Sequence, residues 1–485
     1  MAARTGKEYI DRLAESRPTV QVEGESVSAG IPDHPAFRNV VQTYAALYDM
    51  QQDPALRDVM TYVSPTTGDR VGTSFMVPRV PEDLVRRRQM MKTWADYSMG
   101  MLGRTGDYLN SSLMALSEAG EWFAQADPKF GENIRRYYEM VREQDLLTTH
   151  TLIPPQVNRS VPTAQQGSGV VAARIVAERD DGIVIRGARM LATIGPIADE
   201  LLVFPSTVLR GTPEDAPYSF AVAVACDTPG LRFVCRESMD YGRSRFDHPL
   251  GSRFEEMDAV VVFDDVFVPF ERCFMLGHAE LCNGFYSETS AVVHMTHQVV
   301  TRTTAKTEFM LGLVSAVAQA IGVEQFQHVQ ENIAEIIIAL ETLRAFTRAA
   351  EADATLNPFG VLTPKWEPLN AARNWYPRLY QRFPEILRKL GASGLMALPT
   401  EEDLASPIRE DIDSYLQSAN LGGAERVQLF RLAWDTCISA FAGRQSLYEY
   451  YFFGDPVRMA GALLGNYERQ PYVERVWELL RRVEA

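Results

Sequence analysis

Two side chains in the segment GRTGDYL have types and a spacing that suit the binding of an anionic oxygen. Arg104 and Tyr108 stand four residues apart, so at the start of a helix they would share one face. A guanidinium stays charged and presents a rigid fork of donors, and a phenol can add a hydrogen bond beside it. An Arg and a Tyr at this spacing also occur as a purely structural pair, so the spacing leaves both interpretations open.

His150 lies in LLTTHTLIPPQVNR, where a helical pattern gives way to β-branched runs. Junctions between domains are favoured places for ligand clefts. A single histidine is also often a packed residue, and composition does not decide between the two.

His294 and His297 stand three residues apart in HMTHQVV, a spacing that can place two imidazoles on one helix face around a metal. The E-x-x-H pattern of di-iron bundles does not accompany them, and none of the five cysteines forms C-x-x-C. We therefore predict no metal site, and core or interface positions for both histidines.

A charged segment runs from Tyr241 to Arg272. Its acidic and basic residues are interleaved, which favours a solvated or subunit-contacting network of ion pairs over an anion site. These residues are Arg243, Arg245, Asp247, His248, Arg253, Glu255, Glu256 and Arg272.

Composition and motifs exclude several classes of protein. A formal charge of -15 argues against a surface for nucleic acids or anionic membranes, because both need clustered Lys and Arg. No G-x-G-x-x-G follows a predicted strand and no G-x-x-x-x-G-K-[ST] occurs, so a Rossmann or P-loop nucleotide site is not expected. The longest apolar stretch, Met310 to Val323, is too short to span a membrane.

The N-terminus lacks the apolar region of a secretory signal, and the odd number of cysteines does not suggest a disulfide framework. We therefore expect reduced thiols and a cytoplasmic location.

The elements that must position these residues follow the order helices, strands, helices. Residues 1–146 read as a helical domain, with a capping box at Thr5 to Glu8, and 147–275 as a β domain with a hairpin turn at Asp180 to Gly182. Residues 276–485 return to long helical periods. We predict an α+β fold with a central β-barrel or sandwich and a C-terminal helical bundle that provides oligomer contacts and part of the ligand site.

Five motifs, in the same order and spacing, make the chain similar to the oxygenase component of 4-hydroxyphenylacetate 3-monooxygenase as a family. They are GRTGDYL, TTHTLIPPQVNR, GARMLATIGPIADELLVFPS, FDDVFVPFER and FFGDPVRM, and they extend nearly from end to end of the chain. The resemblance implies an acyl-CoA dehydrogenase-like fold and a homotetramer. It also implies reduced FAD as cofactor and O2 as co-substrate, and hydroxylation of a para-substituted phenol next to its hydroxyl to give a catechol.

The resemblance also implies roles for particular residues. Arg104, Tyr108 and His150 would surround the phenolic oxygen, and Ser206 with Thr207 would meet a carboxylate at the far end of the substrate. Residues that would contact the flavin are His150, Thr151, Leu152, Gln156, Val157, Asn158, Arg159, Thr193, Phe453, Gly454, Asp455 and Pro456. Departures at Ile153 to Pro154 and at Gly195 indicate a flavin loop of different shape.

Electrons would come from a separate NAD(P)H-flavin reductase, which agrees with the missing nicotinamide motif. The physiological phenol stays open between 4-hydroxyphenylacetate and a chlorophenol, a nitrophenol, a coumarate or a carrier-tethered tyrosine. A related 4-hydroxybutyryl-CoA dehydratase would need three Cys and one His for its iron-sulfur cluster, but no Cys occurs around Gly100 to Tyr108 and Thr301 stands seven residues after His294. A non-catalytic scaffold is the remaining alternative.

Overall fold

The computed structural model describes residues 3–158, 160–161, 163–205, 208–240, 242 and 244–483. The predicted order of helices, strands and helices is confirmed. Ser206, Thr207 and Arg159, which we predict to bind substrate or flavin, lie outside the described residues.

The first part of the chain is mainly helical but also contributes short strands. Its elements are α1 (Gly6–Glu15), β1 (Thr19–Val22), β2 (Glu25–Val27), α2 (Arg38–Asp49), α3 (Arg57–Met60), β3 (Thr61–Val63), β4 (Arg70–Gly72), α4 (Pro81–Tyr97), α5 (Gly106–Glu118), α6 (Gly120–Phe123) and α7 (Pro128–Gln144). The predicted capping box is confirmed, since Thr5 Oγ1 accepts from Glu8 N at 3.1 Å and Thr5 N donates to Glu8 Oε2 at 2.7 Å.

The central part consists mainly of strands. Its elements are β5 (Thr148–Thr151), β6 (Arg174–Arg179), β7 (Gly182–Thr193), β8 (Glu200–Val203), β9 (Phe220–Ala225), β10 (Leu231–Cys235), α8 (Gly251–Phe254), β11 (Asp258–Pro269) and β12 (Cys273–Leu276). The predicted hairpin is present, because β6 and β7 are antiparallel with Arg179 opposite Gly182.

The last part returns to helices. Its elements are α9 (Ala279–Gly284), α10 (Ala291–Ala320), α11 (Gln327–Ala352), β13 (Thr355–Leu356), β14 (Leu362–Thr363), α12 (Trp366–Tyr380), α13 (Arg382–Gly391), α14 (Glu401–Leu404), α15 (Arg409–Tyr415), α16 (Gly423–Cys437), α17 (Ala440–Tyr451), α18 (Pro456–Asn466) and α19 (Gln470–Val483).

Two open sheets form the β region, with strand orders β2-β1-β10-β11-β7-β6 and β12-β9-β8-β5. Within the described residues neither sheet closes into a barrel, so of the two predicted forms the sandwich-like one is observed. Closure would need the outer strands to pair, and here β2, β6, β12 and β5 each end a sheet.

The N-terminal segment, which the sequence predicts to be helical, also contains the strands β1 to β4. Strand β1 pairs parallel with β10, Val20 lying opposite Phe233. The β-branched run around Val20 alternates between half-buried and buried side chains, which is the pattern of a strand. One hydrophobic core continues from these first helices through both sheets, and a second core lies among the C-terminal helices.

Helix α10 crosses the molecule and packs against α4, α5, α11 and α12. Both of its histidines are buried with a polar neighbour: His294 Nδ1 lies 3.2 Å from Arg87 Nη1, and His297 Nε2 lies 2.8 Å from Glu351 Oε1. Both histidines therefore occupy core positions. Across the residues described, no three His, Cys, Asp or Glu side chains converge as metal ligands would, and no helix is long and apolar enough to cross a membrane.

Candidate active site

The loop before α5 brings Arg104 to the centre of the molecule. Gly103 is required there because a Cβ atom would lie 2.0 Å from Tyr448 Oη. The amide of Gly103 donates to both carboxylate oxygens of Glu256 at 2.9 and 2.8 Å, and the amide of Arg104 donates to Glu256 Oε1 at 2.7 Å. A buried carboxylate from the β region thus fixes the backbone that carries Arg104.

The guanidinium of Arg104 lies among aromatic rings. Its Cζ is 4.7 Å from the ring centroid of Tyr108, 4.5 Å from that of Phe452 and 5.5 Å from that of Tyr448. Among the described residues no carboxylate lies within ion-pair distance of it. Arg104 precedes α5 rather than lying on it, so the shared helix face that we predict is wrong, but the turn at Thr105 brings the two side chains together. The positive charge is available to a ligand.

His150 completes this group from strand β5. The His150 and Tyr108 rings lie 5.8 Å apart, and His150 is 5% exposed. Burial, and then the charge of Arg104, hold the pKa of His150 well below its usual range. Burial raises the pKa of Tyr108, although Arg104 partly opposes this.

The three side chains near neutral pH are therefore a guanidinium, a neutral imidazole and a protonated phenol. In the described part of the chain, neither the His150 ring nitrogens nor the Tyr108 hydroxyl has a hydrogen-bond partner. A cation with two free hydrogen-bonding groups can stabilise an oxygen that carries negative charge.

Thr193 lies at the end of β7, beside strand β5. Its carbonyl accepts from Thr149 Oγ1 at 2.5 Å, and its own hydroxyl donates to Asp258 Oδ1 at 2.7 Å. Asp258 is also held by Arg444 through two contacts of 2.9 Å and by Arg236 at 3.1 Å. Burial alone would raise the pKa of Asp258, but these two arginines outweigh it and hold that pKa far below its usual range.

The other residues with a predicted flavin contact fall into two segments. Thr151 is buried at the end of β5, Leu152 accepts a hydrogen bond from Arg189, and residues 156–158 are exposed. In the second segment Gly454 has φ +104°, which favours glycine, and Pro456 begins α18.

Asp455 has a structural task in that second segment. Its carboxylate caps α18 by accepting from Val457 N at 2.8 Å and Arg458 N at 3.0 Å. Its neighbour Phe453 lies with its ring centroid 5.0 Å from the guanidinium carbon of Arg373.

Two further arginines were not anticipated from the sequence. Arg189 is 4% exposed, and Arg373 lies between the rings of Trp366 and Phe453 at 5.0 Å from each. Burial lowers the pKa of each to about 10, and neither has a carboxylate within ion-pair distance in the described residues. The Nε atoms of both are buried without a partner.

A buried, uncompensated cation is costly unless an anion joins it. Arg104, which is half-buried, adds a third guanidinium without a carboxylate partner among the described residues, so the site has the charge to hold an anionic cofactor with an anionic substrate. A dinucleotide with a diphosphate, such as FAD, fits this donor set. No local pattern in the sequence marks Arg189 or Arg373. What distinguishes them is that no carboxylate of the described residues lies near them in the folded chain, and a sequence pattern does not show this.

The sequence matches the family model described as 4-hydroxyphenylacetate 3-hydroxylase N terminal over residues 5–275, and the matching C-terminal model over residues 282–481. The chain belongs to the 4-hydroxyphenylacetate 3-hydroxylase family. The oxygenase component of 4-hydroxyphenylacetate 3-monooxygenase from Geobacillus sp. (strain PA-9) is 50% identical over 486 residues, which cover 100% of this chain and 98% of that protein. The component of the same name from Thermus thermophilus is 50% identical over 479 residues, covering 99% and 98%.

Solved structures agree with this membership in the 4-hydroxyphenylacetate 3-hydroxylase family. The oxygenase component of a 4-hydroxyphenylacetate 3-monooxygenase in complex with FAD and 4-hydroxyphenylacetate superposes with a TM-score of 0.95 at 50% identity, covering 99% of both chains. A 4-hydroxybutyryl-CoA dehydratase from N. maritimus superposes with a TM-score of 0.87 at 19% identity over 99% and 95% of the two chains, which shows a shared fold alone.

Proposed function

We propose that this chain is the oxygenase component of a two-component flavin monooxygenase that converts a para-substituted phenol into a catechol. The observation that carries the proposal is the uncompensated guanidinium of Arg104 over Tyr108, beside a neutral, buried His150. Bound reduced FAD would supply two electrons, so that one oxygen atom of O2 enters the ring next to the hydroxyl and the other leaves as water.

Arg104, Tyr108 and His150 would bind the phenolic oxygen of the substrate. A free phenol has a pKa of about 10 and is protonated near pH 7. The guanidinium favours the anionic, more nucleophilic form of the ring, and the neutral imidazole of His150 can accept a hydrogen bond from the phenolic hydroxyl. The rings of Tyr108, Phe452 and Tyr448 pack together and would shield this oxygen from water.

The flavin would lie along β5 and the loop that follows it, in contact with Thr193. We assign flavin contacts to His150, Thr151, Leu152, Gln156, Val157, Asn158, Arg159, Thr193, Phe453, Gly454, Asp455 and Pro456. Asp455 would act indirectly, because its carboxylate is engaged as the cap of α18. Arg373 would hold Phe453 in place and add positive charge at that end.

The substrate that we favour is 4-hydroxyphenylacetate, with Ser206 and Thr207 at its carboxylate. Two relatives that are each 50% identical over almost the whole chain carry the name of that activity, and a structure of such a component holds the compound itself. Arg189 provides a buried cation on β7 that suits a substrate bearing a carboxylate.

The same proposal includes partners. A separate NAD(P)H-flavin reductase delivers reduced FAD, since the sequence contains no nicotinamide-binding motif. We place the protein in the cytoplasm, because its five cysteines are free and four of them are buried.

We also propose a homotetramer, and α19 as part of its contacts. This helix exposes apolar side chains at spacings of three and four residues: Val473, Val476, Trp477 and Leu480. Light scattering of the purified protein should give the mass of four chains. The double change Val476→Asp and Leu480→Asp should lower that mass, whereas Glu474→Asp on the same helix should leave it unchanged; an unaltered mass in the double variant would remove α19 from the interface.

The activity is tested by incubation with an added flavin reductase, NADH, FAD, O2 and a set of para-substituted phenols. We expect 3,4-dihydroxyphenylacetate from 4-hydroxyphenylacetate, and less catechol from 4-methylphenol, which lacks the carboxylate. Omitting the reductase should abolish the product. Formation of H2O2 alone with every phenol would contradict the proposal.

A further inference from the structure

The hydroxyl of Thr193 has its only hydrogen engaged. Thr193 ends β7 and lies opposite Asp258, the first residue of β11, and its Oγ1 donates to Asp258 Oδ1 at 2.7 Å. A hydroxyl has one hydrogen to donate and two lone pairs that accept. The capacity that Thr193 offers to any further group is therefore that of an acceptor.

The hydrogen of the Thr193 hydroxyl stays directed at Asp258, because Asp258 is an ionised carboxylate surrounded by donors. Arg444 donates to both of its oxygens at 2.9 Å, and Arg236 donates to Oδ2 at 3.1 Å. Charge-assisted hydrogen bonds to a carboxylate are stronger than neutral ones, so the Thr193 hydrogen is held toward Asp258. Thr193 is 4% exposed, so bulk solvent has little access to its side chain.

The ring nitrogen N5 of a flavin changes its hydrogen-bonding character with redox state. In the oxidised ring N5 is an acceptor, and in the reduced ring it carries a hydrogen and is a donor. An acceptor-only hydroxyl beside N5 matches the reduced ring and sets two lone pairs face to face with the oxidised ring.

We infer that Asp258 is a positioning residue that orients the Thr193 hydroxyl as an acceptor and so makes the site select reduced over oxidised FAD. This rests on the proposed function, in which the flavin contacts Thr193, and it adds that the contact is made to N5 of the ring. Oxidised FAD formed in the reaction would therefore leave the site, and reduced FAD would enter it, without a separate gate. One net hydrogen bond corresponds to a preference of about tenfold.

The decisive variant is Thr193→Val, which removes the hydroxyl and keeps the shape of the side chain. Under anaerobic conditions, the dissociation constants for FAD and for dithionite-reduced FAD are measured with the wild-type chain and the variant. We expect the constant for reduced FAD to rise about tenfold, while that for oxidised FAD stays the same or falls. An equal change in both constants, or a loss confined to oxidised FAD, would overturn the inference.

Two controls accompany this measurement. Thr193→Ser keeps the hydroxyl and should keep the wild-type ratio of the two constants. Thr347→Val makes the same change at a buried threonine of α11, whose hydroxyl donates to Leu343 O at 3.0 Å, and should also keep it. A ratio lowered equally by the Thr347 variant would refute a specific role for Thr193.

Asp258→Asn tests the orientation itself. The new amide would turn its oxygen toward the two arginines and its NH2 toward Thr193, so the threonine hydrogen would point away from position 258. The preference for reduced FAD should then shrink or reverse; an unchanged ratio in a folded variant would overturn the inference. If this variant does not fold, the Thr193 variants decide alone.

Failure of the inference is distinguishable from failure of the proposed function. A wild-type chain that binds neither form of FAD overturns both. A wild-type chain that binds both forms equally retains flavin use and overturns only the role of Asp258.

Discussion

Replacing Arg104 by alanine should lower catechol formation by about 10²-fold to 10³-fold while reduced FAD is still oxidised. Arg104 is a guanidinium without a carboxylate partner among the described residues, and it lies over the Tyr108 ring. Without it the phenol keeps its proton and reacts poorly, so the electrons of the flavin should appear as H2O2 instead. Catechol and H2O2 are quantified in the same coupled reaction, against the NADH consumed.

The matched control for this variant is Arg186→Ala. Arg186 also lies in the β region, but it pairs with Asp265 on the surface, the two side chains being 55% and 48% exposed. Its loss should leave the ratio of catechol to NADH unchanged. Full coupling in the Arg104 variant would remove Arg104 from the proposed role, and a parallel loss of reduced-FAD binding would show a role in cofactor binding instead.

Local sequence patterns correctly predict the structural features that depend on residues close together in the sequence. The capping box at Thr5 and the turn between β6 and β7 depend on residues within a few positions of each other, and both are present. The pairing of β1 with β10 joins Val20 to Phe233, and no local pattern specifies a partner at that distance. The four short strands of the N-terminal segment, β1 to β4, stand where the sequence predicts only helices.

The grouping of Arg104, Tyr108 and His150 was predicted from the family resemblance, and the structure brings their side chains together. The acidic residues that hold the loop of Arg104 in place differ from their predicted environment. Glu255 and Glu256 belong to the segment for which we predict a solvated or subunit-contacting network of ion pairs, yet both are buried within this chain.

Their partners lie partly in other parts of the chain. Glu255 pairs with Arg236 at 2.6 Å, and Glu256 lies 3.3 Å from Arg444, 188 positions away. A charge pattern indicates that ion pairs form. Only the fold determines which residue each charge pairs with and how exposed the pair is to water. Glu256 thereby links the amide of Arg104 to helix α17, and through Arg444 to Asp258 and Thr193.

Replacing Glu449 by glutamine should lower the free energy of unfolding by about 3–5 kcal/mol. Glu449 is buried in α17 and binds Arg302 at 2.6 and 2.9 Å and Lys306 at 2.6 Å. The neutral amide would leave two cations of α10 without a counter-charge. Urea denaturation of wild type and variant measures the difference.

Glu308→Gln is the matched control, because Glu308 also joins two cations, Lys92 and Arg344, at 2.6 and 2.7 Å. Its side chain is 28% exposed, so water can replace the lost charge and the expected loss is below about 1 kcal/mol. Similar losses in the two variants would contradict the view that burial makes the Glu449 cluster costly to break.

The same cluster predicts a pH dependence with a definite sign. Burial would raise the pKa of Glu449, but Arg302 and Lys306 outweigh it and lower that pKa to about 2. In the unfolded chain a glutamate titrates near about 4.3, so the stabilisation is complete above that pH and is lost as pH falls through about 2. The difference in the free energy of unfolding between wild type and Glu449→Gln should therefore become smaller as the pH is lowered.

Lys306 can moderate the penalty in the variant and Arg302 cannot. Burial lowers the pKa of Lys306 to about 8 even with Glu449 beside it, so without that carboxylate the lysine can lose its proton near neutral pH. Arg302 stays charged. Its guanidinium carbon lies 5.6 Å from the ring centroid of Phe452, and the guanidinium carbon of Arg104 lies 4.5 Å from the same centroid. The residual unpaired charge thus lies against the wall of the active site, so we expect Glu449→Gln to uncouple hydroxylation as well as to destabilise the fold.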